Sequence, residues 1–292
     1  MAFDGRTGSL LLFGGFTQRD GEEVQLADTW RWRNGCWRRL PAEGPTARSW
    51  STLVYDSTSR AAVLFGGKVD NTEGGTFGDT WRLSRDQWTQ VDSAQSPPAR
   101  AHHAATWDAK AERIVLFGGS HGFDVLGDAW SWSDGQWSLI EGAVGPDARA
   151  LHAMYFDVDL GGVVVHGGSS NPWPPFNLSD RWVLVGSEFE ALSHGPARAY
   201  HVAAKLGDGS FSTMGWAFES NPVVASWLER PSGWSRLDDP PNGPEARAGA
   251  ASAVDTGSGV VYLYGGMNAA FEPLGDFWRF DGTRWSRMLG CR

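Results

Sequence analysis

Residues 99–108 read ARAHHAATWD, and residues 148–157 read ARALHAMYFD. The phrase returns as ARSWSTLVYD at 47–56, ARAYHVAAKLGD at 197–208 and ARAGAASAVD at 246–255. Each copy sets Ala-Arg ahead of a short apolar run of strand length that ends in Asp. The arginines Arg48, Arg100, Arg149, Arg198 and Arg247 are spaced by 52, 49, 49 and 49 residues. A period of that size marks a repeat architecture. The chain opens with MAFD, the tail of a sixth copy, which raises the expectation of a natural N-terminus a few residues upstream.

Two further ladders share the period. One is an apolar run ending in a glycine pair: LLFGG at 11–15, VLFGG at 63–67 and again at 115–119, VVHGG at 164–168 and YLYGG at 262–266, with STMGW at 212–216 in the fifth unit. The other is a tryptophan pair seven residues apart: Trp30/Trp37, Trp81/Trp88, Trp130/Trp137, Trp227/Trp234 and Trp278/Trp285, with Trp182 followed by Phe189 in the fourth unit. Each unit therefore reads as four strands with tight turns such as SDGQ between the last two. A lone sheet cannot bury both faces. Radial stacking of twisted sheets solves this, and the tryptophans supply large apolar area between them.

The Arg-x-x-His starts, the LFGG ends and the GDTW…W pairs resemble the kelch repeat in its bacterial form. The resemblance covers essentially the whole chain. It implies an all-β fold, a six-bladed kelch-type β-propeller with four antiparallel strands per blade. The blades run approximately 1–47, 48–99, 100–148, 149–197, 198–246 and 247–292. Activity does not follow from the fold, because kelch propellers include enzymes as well as binding modules.

Composition narrows the function classes. Net charge is −9 with no basic run, which argues against nucleic acid, whose phosphates need neutralising. No apolar run reaches the roughly 18–20 residues that span a bilayer. No signal-peptide pattern opens the chain, so a cytoplasmic protein without a membrane partner is expected. The two cysteines, Cys36 and Cys291, make neither a disulfide framework nor a thiolate metal cluster. There is no Gly-x-x-x-x-Gly-Lys phosphate loop and no Gly-x-Ser-x-Gly elbow. No metal and no cofactor are expected.

Antiparallel alternation puts the Ala-Arg starts on one face with the long loops that join the second and third strands. Long loops on a rigid scaffold are where function concentrates. His103, His152 and His201 each stand three residues after a repeat arginine. They read either as imidazoles at the channel mouth, able to act as acid and base, or as scaffold groups satisfying a neighbouring blade. The arginines read as partners of Asp28, Asp79, Asp128, Asp180 and Asp276, with a ligand contact possible for some.

Departures from the repeat point to blades three to five. Candidate catalytic residues are His103, His152, His201, Asp124 and Glu219. Candidate ligand-binding residues are Trp50, His121, Phe123, Trp173, Phe176, Tyr200, Trp216 and Phe218. The expected function is binding of a small-molecule substrate in a loop-face aromatic pocket, as a cofactor-independent isomerase, lyase or cyclase of bacterial metabolism. The competing class is an interaction module that presents the same face to a peptide or protein partner.

Overall fold

The computed structural model describes residues 1–289 apart from positions 42, 70–74, 143–144, 172–176, 208, 214–225, 231 and 238–242. The described residues are all-β. They form six four-stranded antiparallel sheets and two short ribbons. The third sheet is typical: Ala104–Asp108, Arg113–Phe117, Ala129–Ser133 and Gln136–Leu139, paired in that order. The innermost strands of the six are Ala2–Asp4, Thr52–Asp56, Ala104–Asp108, Ala153–Asp157, Val202–Leu206 and Ala251–Asp255.

In four of the phrases the terminal Asp has a local job. Asp56 Oδ1 accepts the amides of Thr58 and Ser59 at 2.9 and 3.0 Å, and Asp108, Asp157 and Asp255 cap their turns in the same way. Such Asx turns set the tight hairpin into the second strand. That second strand is the most buried: Ala61–Phe65 and Gly162–His166 are buried at every position.

Apolar clusters join every sheet to the next. Leu11 and Phe13 pack with Leu64 and Trp88; Phe65 with Leu116 and Trp137; Phe117 with Val163 and Leu184. Tyr155 and Val164 then meet Ala203, Ala204 meets Leu263 and Trp285, and Phe277 returns to Leu10, Trp32 and Trp37. The last sheet therefore packs against the first. The chain is a β-propeller of four-stranded antiparallel blades.

The tryptophan ladder is held by chemistry visible in the repeat. In five of the six units the first tryptophan donates its indole N–H to the aspartate two residues earlier: Trp30, Trp81, Trp130, Trp182 and Trp278 reach Asp28, Asp79, Asp128, Asp180 and Asp276 at 2.6–2.8 Å. The second reaches across a junction. Trp88 donates to Thr29 and Trp137 to Thr80, both at 2.9 Å. In the next unit Ala129 replaces that threonine and Phe189 replaces the tryptophan, with Phe189 stacked edge-on against Phe117 at 5.5 Å. A buried indole without an acceptor would cost about 1–3 kcal/mol, and at this junction acceptor and indole are both absent. Cys36, read from the sequence as one of two isolated thiols, is disulfide-bonded.

Candidate functional site

The repeat arginine clasps each junction from both sides. Arg100 is fully buried and forks onto Asp128 with Nη1–Oδ1 at 2.6 Å and Nη2–Oδ2 at 2.7 Å, while Nη1 also donates to Gly118 O. Its own N–H donates to Phe77 O, and its carbonyl accepts from Gly67 N, both in the preceding sheet. Arg48 with Asp79 and Arg149 with Asp180 repeat the pattern. The paired guanidinium and the indole N–H hold these carboxyls below the usual range, although their burial pushes the other way. The glycine pair is needed because the chains meet so closely. Gly66 has φ +65°, and a Cβ there would lie 2.6 Å from Arg100 O.

The fifth unit departs. Ala225 stands where the other units carry Asp. Among the described residues the Arg198 guanidinium bonds only to Ala197 O, its Nε has no partner, and the Trp227 indole N–H has none. Burial and nearby Arg236 lower the Arg198 pKa.

Two residues beyond each arginine the backbone turns left-handed: Trp50, His102, Leu151, Tyr200 and Gly249 have φ of +57° to +67°. These residues link into an arc around the axis, since His102 N donates to Trp50 O, Leu151 N to His102 O, Tyr200 N to Leu151 O and Gly249 N to Tyr200 O. The Trp50 ring lies edge-on to Tyr200 at 5.4 Å and 5.1 Å from His102. Its far edge sits over Gly249, where a Cβ would be 2.6 Å away. The hub on the loop face is thus plugged by Trp50, His102, Leu151 and Tyr200. These residues, with Gly14, Phe16, Gly266 and Leu274 at the junction of the sixth and first sheets, line a cavity of about 530 Å³.

His103, His152 and His201 line that cavity, yet each ring packs between sheets. His103 stands edge-on to Phe65 at 5.6 Å, His152 to Phe117 at 5.5 Å and His201 to His166 at 4.9 Å. His103 Nε2 pairs with Thr52 Oγ1 at 2.9 Å, while both nitrogens of His152 and of His201 have no hydrogen-bond partner among the described residues. Burial, reinforced by neighbouring Arg149, drops the His152 pKa to about 3, and burial first drives His103 and His201 well below the ordinary value. These imidazoles are neutral at neutral pH and too weakly basic to be matched to proton transfer there.

The other sequence candidates lie apart. His121, Phe123 and Asp124 are exposed on a ribbon formed by Ser120–His121 and Asp124–Val125, outside the cavity lining. His121 Nδ1 meets Thr76 Oγ1 at 2.7 Å. Trp173, Phe176, Trp216, Phe218 and Glu219 lie outside the described residues. Of the proposed aromatic walls, the structure brings together Trp50 and Tyr200. It adds His102 and Leu151, which share the left-handed position but are dissimilar in type, so no repeated letter flags them.

Phe271 is the other residue the sequence reading passed over as a site. It is 49% exposed with φ +61°. Asn268 builds its turn: the side-chain oxygen accepts Ala270 N and Glu272 N, and its carbonyl accepts Phe271 N at 3.0 Å. Gln18, from the Phe16–Arg19 strand of the first unit's ribbon, donates to Phe271 O at 3.2 Å.

A family description, the KLHDC2/KLHL20/DRC7 Kelch-repeats domain, matches residues 4–215. The chain belongs to the kelch-repeat family. It is also similar to an F-box/kelch-repeat protein of Arabidopsis thaliana, 26% identical over 319 residues that cover 94% of this chain. The kelch chain spans 56% of that relative's length. No helix of the structure is long and apolar enough to cross a membrane.

Proposed function

We propose that this kelch propeller is a protein-interaction module that engages its partner on the loop face, with its six four-stranded sheets acting as six blades of one ring. The observation that carries the reading is the pair of phenyl rings held out on that face. Phe123 is 70% exposed at the tip of its ribbon, and Phe271 sits on a hydrogen-bonded turn in a strained left-handed conformation. Exposed aromatics on rigid, preorganised turns are anchors for a partner's pocket. Family membership supports the same class, as kelch propellers commonly bind proteins. The plug at the hub and the depressed histidines weigh against the isomerase, lyase or cyclase alternative, which needs a group that exchanges protons near neutral pH. A cavity of about 530 Å³ is nonetheless of ligand size, so a small molecule bound at the hub remains the second reading.

Peptide display selection against the folded chain tests the proposal. Selected binders are expected to lose at least tenfold in affinity to F123D or F271D and to be indifferent to changes at Leu139, which is exposed on an outermost strand. Binders insensitive to both phenylalanines, alongside a metabolite whose binding Trp50→Ala abolishes, would transfer the function to the hub.

A further inference from the structure

The outermost strand of each four-stranded sheet has one unpaired edge. An open edge is a template for pairing with another chain, and the charge it carries selects which pairing is allowed. One position recurs on all six edges, each time facing the strand beside it. Arg38 faces Arg31, Thr89 faces Arg82, Ser138 faces Ser131, Glu190 faces Val183, Ser235 faces Leu228 and Ser286 faces Arg279. Four of the six edges are neutral at that position. The first sheet carries a cation there and the fourth a carboxylate.

Neighbouring residues reinforce both charged edges. Around Arg38 stand Arg31, directly opposite, and the exposed Arg33 and Arg39. Like charges opposed across a ladder repel each other. One carboxylate serves both: Asp86, on the hairpin turn of the second sheet, lies 2.5 Å from Arg31 Nη1 and 3.4 Å from Arg38 Nη2. The Arg38 side chain stays 66% exposed. The turn Asn34-Gly35, with φ of +53° and +82°, closes the arginine hairpin in a tight two-residue loop. On the fourth sheet Glu188 and Glu190 are exposed on the strand Glu188–Leu192, and neither makes an ion pair among the described residues. The wider charge is divided in the same sense. Residues 100–246, the third to fifth units, hold nine Lys and Arg against 18 Asp and Glu, whereas the rest of the chain holds 16 of each. The net charge of −9 therefore belongs to the half that contains the carboxylate edge.

We infer that the arginine edge of the first sheet docks onto the carboxylate edge of the fourth sheet in a second copy of this chain. Arg38 and Glu190 are each the central residue of a five-residue strand. Edges laid middle to middle bring the two together whichever way the strands run, with Glu188 as the diagonal neighbour of Arg38. Main-chain pairing supplies affinity, and the ion pairs choose which edge is used. The first and fourth sheets stand on opposite sides of the ring, a geometry that rests on the six-blade reading. The contact is therefore head-to-tail, does not close on itself and grows as open chains. Salt weakens it by screening both edges. It uses neither Phe123 nor Phe271, so it stands or falls apart from recognition on the loop face.

Sedimentation velocity on the folded chain at about 20 mM and about 500 mM NaCl tests the contact, with circular dichroism to confirm each variant's fold. Concentration-dependent association is expected at low salt and its loss at high salt. Arg38→Glu leaves a chain with two carboxylate edges, and Glu190→Arg one with two arginine edges. Each variant alone is expected to associate at least about tenfold more weakly, and an equimolar mixture of the two is expected to recover association. Thr89→Lys, on a neutral edge, is expected to change nothing. A monomer at every concentration up to about 1 mM in low salt, undiminished association of R38E, or a mixture no better than its parts overturns the inference. Binding of a free polyglutamate peptide to the arginine edge without self-association assigns that edge to a different occupant and equally overturns it.

Discussion

The junction of the second and third sheets and the junction of the sixth and first are built from the same parts and end differently. In the first, Arg100 is buried, forked onto Asp128 and threaded between Gly67 N and Phe77 O. In the second, Gly266 and Leu274 line a cavity, and Asp28 receives, among the described residues, the Trp30 indole N–H and no arginine. The glycine pairs that follow each junction differ as well: Gly118 and Gly119 are buried, whereas their counterparts Gly14 and Gly15 are half-buried. In the first the carboxylate and backbone groups hold an arginine; in the second, among the described residues, they hold none.

The comparison breaks most sharply under substitution of the carboxylates. Asp128→Ala leaves the Arg100 cation buried and unpaired, a loss of about 3 kcal/mol; chemical denaturation is the measurement. A loss under about 1 kcal/mol would mean the clasp is not structural. Acid probes the same junctions through their histidines. The His102, His152 and His166 pKa values are each lowered to about 3, and each unfolded group has its ordinary value near 6.5. The unfolded state therefore binds more protons between those limits, and stability is full above about pH 6.5 and falls as the pH drops toward 3. For His152 alone the fall between pH 7 and pH 5 is about 2 kcal/mol. The lowered carboxyls of Asp79, Asp128, Asp180 and Asp276 add a further loss in the same direction once the pH passes below about 4. Urea midpoints that stay constant from pH 7 to pH 5 would contradict the buried, neutral imidazoles.

A gain is expected in the fifth unit. Ala225→Asp offers an acceptor to Arg198 and to the Trp227 indole, and should raise stability by about 1.5 kcal/mol, read as an increase in Tm. A lower Tm would show that the fifth unit has repacked around its missing carboxylate. The smallest effect belongs to Asp28→Ala. It removes the Trp30 hydrogen bond but strands no buried cation, so the cost is about 1 kcal/mol or less. Equal losses at Asp28 and Asp128 would erase the distinction between the two junctions.

Much of this was legible before any coordinates. The spacing of the arginines, the glycine pairs and the tryptophan ladder each stated the four-stranded unit. The pairing of arginines with aspartates was readable too, because both recur with the period. The site was harder. His103, His152 and His201 carried two readings in the sequence, and only burial against Phe65, Phe117 and His166 depresses their basicity. Trp50 and Tyr200 were singled out as departures, but nothing in the order of residues says that they touch.

By itself the sequence determined the repeat, its strands and the identity of the groups at each junction, because periodic burial and hydrogen bonding demand the same residue types every 49 to 52 positions. The closing of the ring settled the rest. It carried Trp50 onto Tyr200 and Gly249, and it packed Phe277 of the last sheet against Leu10, Trp32 and Trp37 of the first. Contacts of that kind depend on the accumulated rotation of every sheet in between, and no local pattern of residues encodes that sum.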